Sequence, residues 1–391
     1  MKNQPELRAL KKNMFLNQIK VRNFRNIEAA DLKLGTGYNV FLGANAQGKT
    51  NILESILFLA TSTSHRTLRE KYLIRHGQDV AYIQGEIDTR RGPVRLESGL
   101  SLEKKILKVQ GRPLSRVGDL YGHLRVVLFA PEDLFLIKGS PRLRRKFLDL
   151  AIAQVQPDHV PLLQSYRKLL RQRQTILRQR ADHPGLNAQL DAWEQQLAIP
   201  AAEIVSRRRS LVTKLTERTR HLAEQLSGGA DCLELIYRSS VGDFDPAQGV
   251  PVFLERFRAS RERDRQQKQS TVGPHRDELS FLLHGRDVAV FGSQGQVRAA
   301  SLVLRLAEAS LIETEAGEAP VLLIDDVIFE MDAGRRTRFF ALLPKASQGL
   351  VTATQQQDVA PLIDAGHVFE VKMGTFTALD LDGRTPQGGT S

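Results

Sequence analysis

Tyr38–Ala60 reads YNVFLGANAQGKTNILESILFLA. An apolar run, a loop of small and polar residues and a long apolar-faced segment follow in turn, which predicts strand, turn and helix. Gly43, Gly48, Lys49 and Thr50 stand between them at the spacing G-x-x-x-x-G-K-T. That string in that context is a phosphate-binding loop. Its backbone, Gly43, Ala44, Asn45, Ala46, Gln47, Gly48 and Asn51 with the motif residues between, can turn N–H groups onto phosphates, and the helix after it presents its positive end. Lys49 is expected to neutralise the β- and γ-phosphates of ATP, and Thr50 to ligate Mg²⁺.

Such a loop needs a second carboxylate at the end of a buried strand. PVLLIDDVIFEMD (Pro320–Asp332) supplies it. Val321–Ile324 form the strand, Asp325 is the expected Mg²⁺ partner through water, and Asp326 is placed to orient or deprotonate an attacking water. Residues 50–324 separate Lys49 from Asp325, whereas small nucleotide kinases and GTPases keep the two in one compact domain. A large insertion therefore divides an α/β P-loop ATPase fold.

The insertion is visible in the texture of the chain. Between Pro141 and Arg220, 16 Lys or Arg face 7 Asp or Glu, with almost no glycine. Leu162, Leu163, Tyr166, Leu169, Leu170, Ile176 and Leu177 make one helical stripe, which DHPG (Asp182–Gly185) ends. Leu190, Leu197, Ile204 and Leu211 then recur every seven residues, joined by Trp193, Leu215 and Leu222, as a long helix running back beside the first would require. Pro200 and Arg208 interrupt that seam. The expected division is 1–13 as a polar extension with Met14 opening the fold, 14–130 and 266–391 as the two parts of the head, and 131–265 as a helical arm. The charged SRERDRQQKQS (Ser260–Ser270) reads as mobile, and ELSFLLHG and VAVFG after it read as strands.

The 391 residues allow two or three structural units, and a formal charge of +12 with a pI near 9.9 suits a polyanionic partner. A single cysteine, Cys232, and the absence of a charged-then-apolar leader point to the cytoplasm. The apolar runs fall short of the ~20 residues a membrane span needs, so no membrane partner is expected.

FGSQGQVRAASLVLRLAEASL (Phe291–Leu311) opens with small residues and continues as an apolar-faced helix shortly before the Asp pair. Ser293, Gly295 and Gln296 resemble the S-x-G-Q core of the ABC-type ATPase signature. A helix tip of this kind suits a γ-phosphate, and one subunit already surrounds its phosphates with the Lys49 loop. The tip would then serve the nucleotide of a second copy, with ATP joining two heads.

Taken together, KVRNFRNIEAADL (Lys20–Leu32), LGANAQGKTNILESI, SHRTLRE (Ser64–Glu70), FAPEDLFLIKGSPRLRRKFLDL (Phe129–Leu150), TVGPHRDEL (Thr271–Leu279), the signature and LLIDDVIFEMD resemble the RecF family of bacterial DNA repair proteins, relatives of the SMC-type ATPases. The resemblance covers the chain from Met14 onward, and the short arm fits that family better than the very long coiled coils of SMC proteins. It implies an ABC/SMC-type head, an ATP-dependent homodimer on DNA, slow DNA-dependent ATP hydrolysis, and RecR and RecO as partners in loading recombinase at single-strand gaps. It also implies a nucleotide contact for Arg25. An ATP-binding DNA scaffold without turnover is the alternative. Two departures stand out: Phe329-Glu330-Met331-Asp332 replaces the family's S-E-L-D, and TATQQQ with Thr354 and Gln355 takes the place of a switch histidine. Arg142, Arg144, Arg145 and the arm's other cations are candidate DNA contacts, and the His275, Arg276 and Asp277 cluster has no assigned role.

Overall fold

The computed structural model describes residues 13–67, 69–179, 185–229, 231–327, 331–344, 347–363 and 367–379. They form two compact units, 13–133 with 305–379, and 134–304.

The first unit contains two sheets. In one, β15 (Thr375–Leu379), β14 (His367–Lys372), β3 (Tyr38–Leu42), β13 (Gly349–Ala353), β12 (Val321–Ile324) and β8 (Val126–Phe129) lie in that order, parallel except for β15. Their apolar runs VVLF, VLLI and GLVTA are buried on both faces, as a covered parallel sheet demands. The second sheet is antiparallel, ordered β2 (Ile27–Lys33), β1 (Phe15–Phe24), β4 (Val80–Thr89), β5 (Gly92–Ser101), β6 (Lys105–Val109) and β7 (Arg112–Pro113). Helix α1 (Lys49–Thr61) touches strands of both sheets, which explains why nearly all of its residues are buried. Gly85 on β4 permits this approach, because a Cβ there would meet Leu59 Cδ2 at 2.7 Å.

The second unit holds α2 (Leu134–Lys138), α3 (Pro141–Val155), α4 (His159–Leu177), α5 (Leu186–Ser227) and α6 (Gly249–Gln267), with a small sheet of β9 (Leu233–Arg238), β10 (Glu278–Leu283) and β11 (Arg286–Asp287). The heptad reading of α5 holds: Leu190, Leu197, Ile204, Leu211 and Leu215 are all buried, and the helix runs for 42 residues with Pro200 inside it. Tyr166 and Leu170 of α4 join Leu197, Ile204, Phe253 and Phe257 in one core. Arg208, on the seam, is buried in a bidentate pair with Asp149 at 2.9 Å and donates to Pro274 O at 2.7 Å.

Three local expectations change. SRERDRQQKQS is not loose: through Gln267 it is the last half of α6, anchored where Ser260 and Arg173 donate to the buried Asp264. VAVFG is no strand. Val288–Phe291 turn into a short helix, α7, because the Asp287 side chain accepts the Ala289 N–H at 2.8 Å. Residues 266–304, assigned above to the head, cluster with the arm, since β10 pairs with β9 along its whole length and Glu278 takes Arg144. Helix α8 (Gln294–Ala316) follows. Asp182–Pro184, Phe329 and Glu330 lie outside the described residues. No described helix is long and apolar enough to cross a membrane.

A candidate nucleotide site

Between β3 and α1 the chain makes the loop that the motif predicts. Gly48 sits at φ 111° and Ala46 at φ 64°, and a Cβ at Gly43 would meet Val371 O at 2.4 Å. Ala44, Asn45 and Ala46 are exposed, so the loop's crest faces solvent. Lys49, almost fully buried, folds back into the curve and donates to Gly43 O at 2.7 Å and Ala44 O at 3.0 Å. Burial lowers its pKa, against the opposing pull of Asp326 and Asp325. The loop is pinned from outside: Gln47 Oε1 accepts from Met373 N and Gln47 O from Gly374 N, both at 2.8 Å. Asn51 Nδ2 donates to Asn26 Oδ1 at 2.7 Å, and Asn26 Nδ2 to Gln47 O at 3.2 Å. The side chains of Gln47 and Asn51 thus hold the scaffold of the loop.

Asp325, at the end of β12, meets this loop. Thr50 Oγ1 donates to its Oδ1 at 2.9 Å, and Thr352 Oγ1 lies 2.9 Å from the same oxygen. Burial, then the neighbouring Asp326 charge, push the Asp325 carboxyl up to about 6. Asp326 is in the left-handed region at φ 49°, and its N–H donates to Thr352 Oγ1 at 2.9 Å. Thr352, fully buried on β13, therefore organises both carboxylates. Thr354 and Gln355, the sequence candidates in this stretch, follow just beyond the strand.

Mg²⁺ fits these residues. The Thr50 hydroxyl can ligate it, and the Asp325 carboxylate, 2.9 Å from that hydroxyl, can accept from a water of its shell. Glu132 Oε2 is buried without a hydrogen-bond partner among the described residues, as are both ring nitrogens of His65. Burial first, against the pull of Glu54 and Glu132, lowers the His65 pKa. The described residues hold no cluster of three or more His, Cys, Asp or Glu, so phosphate oxygens and water would complete the shell.

Arg25 is committed to a partner the sequence reading missed. Its Nε and terminal nitrogens grip both oxygens of the fully buried Glu54 at 2.9 and 2.8 Å, with a further bond to Tyr72 O at 2.9 Å. Burial alone would raise the Glu54 pKa, but the bonds from Arg25 and Ser64 outweigh it and hold the carboxyl low. An Asn or Glu on an apolar-faced helix gives no such signal until its partner is packed against it.

Ser293, Gly295 and Gln296 belong to the second unit. Ser293 is exposed and closes a capping box: its N–H donates to Gln296 Oε1 at 2.9 Å, and Gln296 N–H to Ser293 Oγ at 3.2 Å. Val290 and Phe291 just before it are each 70% exposed. Asp332 caps a later helix, α9 (Ala333–Leu342), through Arg335 N at 2.9 Å.

Most other candidates are spent internally. Of the candidate DNA contacts, Arg144 holds Glu278 and two carbonyls, Arg145 donates to Asp277 O at 2.7 Å, and Arg142 is exposed. His275 Nδ1 accepts from Tyr166 OH at 2.6 Å and its Nε2 donates to Ser270 O at 3.1 Å, while Asp277 takes Ser240 N at 2.8 Å. That cluster knits the arm together.

Residues with this arrangement invite comparison. The chain is 40% identical over 370 residues to the DNA replication and repair protein RecF of Geobacillus thermodenitrificans (strain NG80-2), covering 93% of this chain and 100% of that protein. The chain belongs to the RecF family. Residues 15–376 match the family described as RecF/RecN/SMC N terminal domain. Among solved structures, this RecF-family chain is similar to the recombination mediator protein RecF with ATP in the RecFOR pathway, at TM-score 0.87 and 32% identity over 94% of this chain and 98% of that one. The Smc head domain of Pyrococcus furiosus shares the fold, at TM-score 0.55 and 15% identity over 94% of this chain and 96% of that one. The fold is therefore the ABC/SMC-type ATPase head with a helical insertion.

Proposed function

We propose that this chain is an ATP-operated, DNA-binding recombinational repair protein of the cytoplasm, which pairs head to head around ATP, hydrolyses it slowly, and works with RecO and RecR partners to load recombinase at single-strand gaps. The observation that carries the reading is the convergence of Lys49, Thr50, Asp325, Asp326 and Thr352 from three strand ends. Lys49 would neutralise the β- and γ-phosphates, while Thr50 and Asp325 hold Mg²⁺, whose charge offsets the developing phosphate charge. Asp326, propped by Thr352, orients the attacking water. A carboxylate one methylene shorter than glutamate reaches that water less well, which suits slow turnover.

Pairing rests on Ser293. Its exposed, capped helix tip beside the uncovered Val290 and Phe291 is what a second copy's nucleotide and head would engage. The test is sedimentation with and without ATP of wild type, Lys49→Met, Ser293→Arg and an equimolar mixture of the two variants. ATP should pair the wild type, neither variant alone, and a fraction of the mixture, since one composite site in the mixed pair is intact. Pairing of Ser293→Arg with itself would overturn the shared site. Absence of any phosphate release by wild type with DNA would leave a scaffold without turnover.

A further inference from the structure

Helix α4 has two unlike faces. Tyr166, Leu170, Arg173, Ile176 and Leu177 are buried. The exposed side carries Gln164, Arg167, Lys168, Arg171 and Thr175, with Arg178 at the C-cap. At 3.6 residues per turn Arg167, Arg171 and Arg178 fall within roughly 40° of one line and span about 16 Å. His159–Leu177 contains no Asp or Glu. Among the described residues, none of the four exposed cationic head groups has an ion-pair or hydrogen-bond partner.

Elsewhere in the unit several exposed cations are neutralised. Arg207 pairs with Asp158 and Glu203, Arg220 with Glu234, Arg258 with Asp191 and Arg265 with Glu262. On α4, by contrast, Arg167 and Arg171 stand one turn apart as like charges, which destabilises the helix. A counter-charge from another molecule would relieve that repulsion.

The chemistry of the face selects the partner. No large hydrophobic of α4 is exposed, so the face lacks the aromatic or aliphatic anchor at the centre of protein interfaces. It also lacks an aromatic ring for stacking unpaired bases. Arg, Lys, Gln and Thr are the side chains that contact phosphate and sugar oxygens of a duplex. We infer that the exposed face of α4 is a sequence-independent binding surface for the backbone of double-stranded DNA. The inference rests on the DNA-binding reading above and names the surface that does the work.

The test neutralises Arg167, Lys168, Arg171 and Arg178 together to alanine in the full chain. Alanine is a better helix former than any of them, and far-UV circular dichroism with ATP binding checks the fold. Affinity for a fluorescent duplex, measured by anisotropy with ATP over a salt series, should fall roughly tenfold or more at low salt. The slope of log affinity against log salt should shrink by about 3 to 4, near 0.9 per cation. A companion variant with the three arginines changed to lysine should keep the wild-type slope. Wild-type slope and affinity in the alanine variant would overturn the assignment, as would a loss confined to single-stranded DNA. Failure of the wild type to bind any DNA would instead overturn the repair reading itself.

Discussion

At the scale of the residue, Thr352 decides the state of the acidic pair. Its hydroxyl accepts the Asp326 N–H and donates to the buried Asp325, so Thr352→Val takes a partner from both. Urea unfolding should report a loss of about 1–3 kcal/mol. The Asp325 carboxyl, raised to about 6, makes a second expectation. A raised carboxyl adds stability in its protonated form, present below pH ~4 and lost as pH rises through about 6. Mg²⁺ needs the ionised form, so Mg²⁺-dependent nucleotide affinity should weaken below pH 6 by up to about tenfold per unit. Removing the Thr352 bond should move that limit upward, and an unshifted profile would show that Asp325 is not the titrating group. Asp326→Asn should keep ATP binding and pairing while phosphate release falls at least ~100-fold, the scale of a lost general base.

At the scale of the element, α4, α5 and α6 are held by charges as well as by leucines. Arg173, fully buried, meets Glu194 at 2.9 Å, Asp264 at 2.6 Å and Ser270 Oγ at 2.5 Å, so one cation serves three segments. Arg173→Leu strands the buried Asp264 without a cation, while Glu194 keeps Arg261 at 2.5 Å, and should destabilise the arm by about 3–5 kcal/mol, read by chemical denaturation. His275 binds α4 to the turn before β10. Its pKa is pushed down to about 4, chiefly by burial. A depressed histidine supports the fold above the unfolded pKa near 6.5, and that support disappears as pH falls through about 4. Arm stability should drop over that window in wild type and more gently in His275→Gln. Equal slopes would mean that another group sets the acid limit.

At the scale of the molecule, two compact units imply two unfolding events. In the Ser293→Arg background, where pairing is blocked, ATP with Mg²⁺ should stabilise the unit holding Lys49 by about 2.7 kcal/mol at a hundred times Kd. The arm's transition should stay in place, and Lys49→Met should abolish the shift. One merged transition in calorimetry would contradict this division. The sequence by itself determined the phosphate loop, the buried strand ahead of Asp325 and the long seam of α5. Each is a demand of local backbone geometry or periodicity, so contiguous residues record it. Tertiary structure alone decided that Thr352 props the Asp pair, that Glu54 claims Arg25, that Arg144 and Arg173 are paired inside while the exposed cations of α4 have no partner among the described residues, and that Ser260–Ser270 is ordered. Those outcomes depend on which distant side chains packing brings within hydrogen-bond reach, and no periodicity or spacing along the chain encodes that meeting.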